Sequence, residues 1–368
     1  MERFRSVDYL KGIAILSIFA IHSFDTPRPP VFYEAVIFQA VPLFFLLSGF
    51  TSGLYLHKNF NSVKYYQARA YRLFLPLYVS IPFVILSYVV AFQFHPSLSG
   101  WNYLERVPLW LTGNLINFGV GASFLPPYLT WAVLFPAIYY VLTSRPSYHT
   151  ILVFTFIPLA FLSHNLYHLH KELFIALLSP LPGSDHWHVK TLVLNYLPHL
   201  ALGLATGAVL AVDEWRTRFT DNRLFPILGS LVAGSFYVMG WTEGRGGWST
   251  AHSLSLREVA IVDMSIIYVF AFFLLGIYFF ERYQPEIKIL QWFGDSSYHL
   301  YIVQMAVFRI GYNVDILVNG HSYLGYIVAI LVSVPLTVIF KWVTTRVERQ
   351  LRLVETFVSS AFRWKELE

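Results

Sequence analysis

The 368-residue chain contains no cysteine, and only 13% of its residues are charged. Without cysteine there is no disulfide framework, no thiolate metal site and no cysteine acyl-enzyme, so any covalent step must run through oxygen or nitrogen. Soluble domains carry about 25% charged residues, roughly twice the fraction here, which excludes an ordinary water-soluble fold. Basic runs that would track a phosphate backbone are missing as well. The formal charge of +5 therefore reads as membrane topology and excludes nucleic acid as the expected partner. Internal repeats, low-complexity stretches and a soluble insert of domain length are also lacking.

What is present is apolar. Residues of the AVILMFWYC set make up 56% of the chain, about 206 residues, and mean hydropathy is +0.54. That is close to the need of ten spans of roughly 20 residues each. The expected fold is an all-α integral membrane protein, a bundle of about ten transmembrane helices. The spans are expected near 8–24, 32–55, 71–94, 128–143, 150–164, 192–212, 224–241, 259–280, 298–310 and 323–344, with 108–120 as a re-entrant or interfacial piece. Several are short or carry polar residues, which suits helices packed inside a bundle.

Charge placement gives the orientation. With the N-terminus inside, 19 of the 26 basic residues fall on the inner side, and the outer side keeps Arg28, Arg106, Lys171, Lys190, Arg245, Arg257 and Arg309. This predicts a multi-pass protein of the cell (cytoplasmic) membrane with both termini cytoplasmic. The first apolar run lacks a small-residue cleavage pattern and is expected to be a retained helix. Residues 1–345 form the expected transmembrane domain. In 346–368, Val347, Leu351, Val354, Val358 and Phe362 recur at helical spacing among charges, which predicts an amphipathic cytoplasmic tail.

Four places stand out as chemistry-bearing. Lys11 and His22 lie eleven residues apart on the first span, about three helical turns and ~16 Å of rise, so they share a face. An imidazole inside an apolar span marks a functional-site hypothesis and is the natural general base near neutral pH. The plainer alternative is a snorkelling lysine with a histidine satisfied by a neighbour. In Phe44-Phe45-Leu46-Leu47-Ser48-Gly49, a small pair admits close helix approach, and taken alone it reads as packing more readily than as catalysis. Arg69 and Arg72 are neighbours at i and i+3. Two guanidinium forks side by side suit polyphosphate or carboxylate, with anchoring to anionic lipid as the plain alternative. Finally, Ser297-Tyr298-His299-Leu300-Tyr301 followed by Gln304 places Tyr301 and Gln304 one turn apart, able to face a polar cavity.

In that order, and over nearly the whole chain, these four places resemble the membrane-bound acyltransferase 3 family, the O-acyltransferases of sugars and other envelope molecules. The shared pattern is a basic residue, ten positions and a histidine (Lys11 to His22), then Phe-Phe-x-x-Ser-Gly (Phe44 to Gly49), Arg-x-x-Arg (Arg69 to Arg72) and Ser-Tyr-x-x-Tyr (Ser297 to Tyr301). Three positions depart from it. Lys11 stands where arginine is commoner, keeping the cation and losing the bidentate fork. Trp131 is present, but the carboxylate that often follows it is not, and Gln304 stands where histidine is frequent.

The resemblance implies an acyl-CoA-dependent acyltransferase, with acetyl-CoA as cosubstrate, a carbohydrate or lipid-linked acceptor, and no permanently bound cofactor or metal. It implies His22 and Lys11 as catalytic residues, Arg69, Arg72, Ser48 and Tyr301 at the acyl-CoA, and Trp131, Gln304 and Asp8 as acceptor-binding or supporting residues. His22 acts either as general base on the acceptor hydroxyl or as a transient acyl carrier. A multi-pass transporter or flippase would share the composition, but it is expected to show an internal repeat and paired Gly/Pro-broken spans. A non-catalytic relative is a third class. Two further sets are less specific. His164, His168 and His170 with Asp185, His186 and His188 are expected in one outer loop, where zinc competes with plain solvation. Arg257 and Glu258 are expected as an ion pair, with Asp263 as a cavity-facing acid.

Overall fold

The computed structural model describes residues 4–23, 40–56, 60–94, 107, 125–145, 147–178, 193–242, 253–318 and 322–365. Within them every regular element is helical. In chain order these are α1 (Arg5–Ser23), α2 (Ala40–Gly53), α3 (Ser62–Arg69), which passes through a π-helical turn (Ala70–Phe74) into α4 (Leu75–Phe94), and α5 (Leu125–Thr143). Then come α6 (Tyr148–Ile151), a second π turn (Leu152–Phe156), α7 (Ile157–Leu169), α8 (Lys171–Leu178), a 3-10 turn (Val193–Tyr196) and α9 (Leu197–Leu210). The chain continues with α10 (Asp213–Asp221), α11 (Phe225–Thr242), α12 (Leu256–Tyr283), α13 (Lys288–Asp295), α14 (Ser297–Val318) and α15 (Ser322–Lys365).

Each of the ten expected segments holds helix. Six helices among the described residues are long and apolar enough to cross a membrane. The expected re-entrant piece lies outside the described residues, Val107 excepted. The surface is inverted relative to a water-soluble protein. Phe154 is 76% exposed and Val141 70%, whereas Lys171, His164, Gln304, Ser333 and Thr337 are buried. An apolar exterior around polar interior side chains is the arrangement a bilayer requires.

Two close helix contacts set the frame. α2 and α9 form the most extensive pairing, because Gly49 and Gly53 meet the carbonyls of Leu200 and Leu204, while Gly203 and Gly207 meet those of Leu46 and Phe50. A β-carbon at any of the four would overlap backbone. Small residues four apart on both helices let the backbones touch, which is how apolar spans gain van der Waals contact when lipid competes for their side chains. At the second contact, α1 lies against α13, where Gly12 meets the carbonyl of Leu290 and Gly294 that of Asp8. This brings the polar Asp295–Ser297 corner beside Lys11.

Polar ties fix the start of α1. Glu281 of α12 accepts from the backbone N–H and hydroxyl of Ser6 (3.2 and 2.7 Å) and pairs with Arg216 at 2.5 Å. The Arg216 guanidinium lies 4.2 Å over the Phe4 ring. Tyr9 donates its hydroxyl to the carbonyl of Pro285 at 2.5 Å. At the other end of the chain, the tail prolongs the last span within one 44-residue helix, α15. It packs against α3 and the first π turn: Tyr71 donates to Glu355 at 2.9 Å, and Arg352 sits 4.1 Å over the Tyr71 ring.

Two expectations are corrected. His164 and His168 belong to α7 and are buried, because the helix runs on to Leu169, so they are not loop residues. Asp185, His186 and His188 lie outside the described residues. Glu258 does not pair with its neighbour Arg257. It completes a capping box with Ser255, accepting from the Ser255 N–H at 2.8 Å while its own N–H donates to the Ser255 hydroxyl at 3.3 Å, because the first turn of α12 needs its amides satisfied. Asp263 accepts from Asn165 at 3.0 Å.

Candidate active site

A cavity of about 820 Å³ opens at the basic end of the bundle, walled by α1, α2, the first π turn, α5, the α13–α14 corner and α15. Four cations line it, Lys11, Arg69, Arg72 and Lys341, against three acids, Asp8, Asp295 and Glu348. The volume falls within the range typical of small-molecule and cofactor sites. Of the residues the sequence pattern singled out, Asp8, Lys11, Arg69, Arg72 and Tyr301 meet on its walls.

Each wall residue has a local cause. The close contact of Gly294 with Asp8 keeps α1 and the α13–α14 corner together, so Asp8, Lys11, Asp295 and Ser297 share one side. The π turn at Ala70–Phe74 starts directly after Arg69 and contains Arg72. Its wider i→i+5 turn displaces Arg72 from the stacked i, i+3 position an α-helix would give it, and π turns of this kind recur at functional sites. Arg69 is half-buried, 5.0 Å over the Tyr65 ring, whereas Arg72 is exposed. The π turn is tied to the late tyrosine motif by Tyr298, whose hydroxyl donates to the carbonyl of Leu73 at 2.8 Å. Two motifs more than two hundred residues apart in sequence thus form one wall. Lys341 donates to the Ser296 hydroxyl at 3.3 Å, and Thr344 Oγ1 lies 3.3 Å from His299 Nε2, joining α15 to the same corner.

Four of the expected site residues stand apart from this cavity's lining. Ser48 is buried in the α2 segment that meets α9, its carbonyl accepting from Ser52 at 2.8 Å. Trp131 is buried beside Phe135, with no hydrogen-bond partner for its indole N–H among the described residues. Gln304 is fully buried one turn beyond Tyr301. His22 sits at the far end of α1, half-buried, its ring centroid 5.7 Å from that of Phe308.

Sequence reasoning missed Lys341 and Tyr128 as cavity residues and His199 as a buried imidazole of α9. Lys341 sits in the last span among apolar residues, where a cation reads as topology, and nothing in the sequence ties it to Lys11. Among the described residues no group of three His, Asp or Glu is arranged to hold a metal ion. His164 and His168 contact each other at 4.3 Å, and His168 Nε2 lies 3.1 Å from the Asn195 side-chain oxygen.

A helical bundle with an apolar exterior, and a cavity lined by four cations and three acids at one end, defines an integral membrane protein. The chain matches the acyltransferase-domain model of the acyltransferase 3 family over residues 4–346 and belongs to that family. No curated protein and no solved structure matches the chain.

Proposed function

We propose that this chain is an acyl-CoA-dependent O-acyltransferase of the cytoplasmic membrane, moving an acetyl group to a hydroxyl of an envelope carbohydrate or lipid-linked sugar. The observation that carries this reading is the convergence of Lys11, Arg69 and Arg72 on one cavity. Guanidinium forks and an ammonium at a single mouth suit the phosphates of coenzyme A. With both termini cytoplasmic, the cavity opens where acyl-CoA is found. Asp8, three residues before Lys11 on the same wall, orients the lysine.

From this grip the pantetheine arm runs along α1 toward His22, a rise of ~16 Å over eleven residues. At that end the imidazole takes the proton of the acceptor hydroxyl as its oxygen attacks the thioester carbonyl. Collapse of the tetrahedral intermediate breaks the carbon–sulfur bond, the new ester forms, and the thiolate recovers the proton from the imidazolium. Tyr301, on the cavity wall between the two ends, offers its phenol to the donor arm or to the developing oxyanion.

The test is mass spectrometry of envelope glycans and lipid-linked sugars from cells with and without the gene. Loss of an acetyl increment from one of them is the expected result. An unchanged set of acyl esters would overturn the reading.

A further inference from the structure

The path from the cation grip to His22 has a second wall, α14. Ser297 of α14 shares the cavity with Lys11, and Phe308 contacts both Phe19 and His22, with ring centroids 5.7 Å apart in each pair. Lys11 to His22 and Ser297 to Phe308 are equal intervals of eleven residues, so the two helices run side by side in the same direction. Ser297, Tyr301, Gln304 and Phe308 recur at the four- and three-residue spacing of one helix face. Along that face Gln304 lies level with the middle of the Lys11–His22 interval.

Gln304 is 0% exposed, and neither its Nε2 nor its Oε1 has a hydrogen-bond partner among the described residues. A carboxamide carries two donor hydrogens and an acceptor oxygen, and burying them unpaired is strongly unfavourable, so native proteins rarely do it without a functional reason. Thr337, one turn from Lys341 on α15, is likewise buried with an unpartnered hydroxyl. Unpaired polar atoms therefore continue beyond the end of the cavity on two of its helices.

Resting on the acyl-CoA reading above, we propose that Gln304 binds the pantetheine amide nearest the sulfur and so sets how far the thioester advances toward His22. The chemistry matches, since a peptide-like amide presents one N–H and one C=O, the complement of what Gln304 leaves unmet. The distances match as well. Gln304 lies four residues before Phe308, ~6 Å along the helix. In the donor, two methylenes separate that amide nitrogen from sulfur, the ~3.5 Å of one extended residue, and the thioester carbonyl is one bond further. An amide held at Gln304 thus delivers the reacting carbon to the level of His22.

The experiment measures binding of coenzyme A to the full-length protein in lipid nanodiscs, so it needs no acceptor. Two ligands are compared, coenzyme A and an analogue in which CH₂ replaces the amide N–H nearest the sulfur, on the wild type and on Gln304→Met. The analogue on wild type should bind about 10-fold more weakly, as expected for one lost buried hydrogen bond, and coenzyme A on Gln304→Met at least ~10-fold more weakly, since both bonds to the carboxamide are gone. The two changes together should weaken binding no further than Gln304→Met alone, because the analogue lacks only a bond that methionine has already removed. Ligand-free Gln304→Met should melt no lower than wild type, since methionine fills the site without unpaired polar atoms. If the analogue binds wild type as tightly as coenzyme A does, or if the two losses multiply, the assignment of Gln304 is overturned while the acyl-CoA reading stands. If wild type does not bind coenzyme A at all, the acyl-CoA reading fails first and takes this inference with it.

Discussion

α1 carries its two chemistry-bearing side chains into opposite surroundings. Lys11 shares the wall of an open cavity with charged or hydroxylated side chains, among them Asp8, Arg69, Arg72, Asp295, Lys341 and Tyr298. Around His22 the contacts are aromatic, with Phe308 against its ring and Phe19 buried one turn earlier. A polyanion has to be caught where it arrives hydrated, and several cations at one mouth can replace its water. Proton transfer and attack on a thioester are served by the opposite, a site walled off from bulk water. In the proposed reaction the single helix α1 carries both groups and fixes the distance between them.

That contrast can be broken most sharply at His22. In cells, His22→Ala should lower acetylation of the envelope acceptor by about 10²- to 10⁴-fold, the usual contribution of a positioned general base. Coenzyme A affinity, measured on the purified variant, should stay within twofold. Loss of affinity with retained transfer would reverse the roles of the two ends. At the other end, Arg69→Ala with Arg72→Ala should weaken coenzyme A binding by about 10- to 100-fold, as for charge-assisted bonds. The remaining affinity should fall less steeply with salt than that of the wild type. An unchanged dissociation constant would remove the phosphate assignment.

Two smaller perturbations separate support from recognition. Glu281→Gln leaves Arg216 without its buried partner at the start of α1 and should destabilise the protein by about 3 kcal/mol, read as a lower melting temperature in detergent. Coenzyme A affinity of the folded fraction should be retained. A loss of affinity without a loss of stability would place Glu281 in the site itself. Tyr298→Phe should cost about 1 kcal/mol by removing the bond to the Leu73 carbonyl. Its effect on coenzyme A binding should be small, through the position of the π turn, and a drop as large as that of the arginine pair would make Tyr298 a direct ligand.

Much of the fold is legible in the sequence because lipid leaves few alternatives. Apolar runs of spanning length must be helical to satisfy their own backbone, and each of the ten expected segments holds helix among its described residues. The glycines at 49, 53, 203 and 207 could be read as small-residue spacing, but that they face each other across α2 and α9 could not. Part of the cavity wall was legible as well. Lys11, Arg69, Arg72 and Tyr301 carry motif spacing, while Lys341 and Tyr128 do not, since their place on the wall depends on how α15 and α5 pack. The histidines at 164 and 168 were misplaced because a helix that carries polar residues past its apolar run looks like a loop when hydropathy is the only guide. Glu258 was misjudged because a capping box and an ion pair draw on the same residue types.

By itself the sequence determined the solvent in which this chain folds, the helical form of its segments and the motif residues that tie it to its family. Composition and local spacing suffice for these, because each is settled within a turn or a span. Only the tertiary structure decided that a lysine near the start of the chain, two arginines at a π turn and a lysine near its end share one cavity, and that Gln304 lies buried one turn beyond Tyr301 with no side-chain hydrogen-bond partner among the described residues. Those relations depend on which helix faces meet, and that is set by contacts between residues hundreds of positions apart.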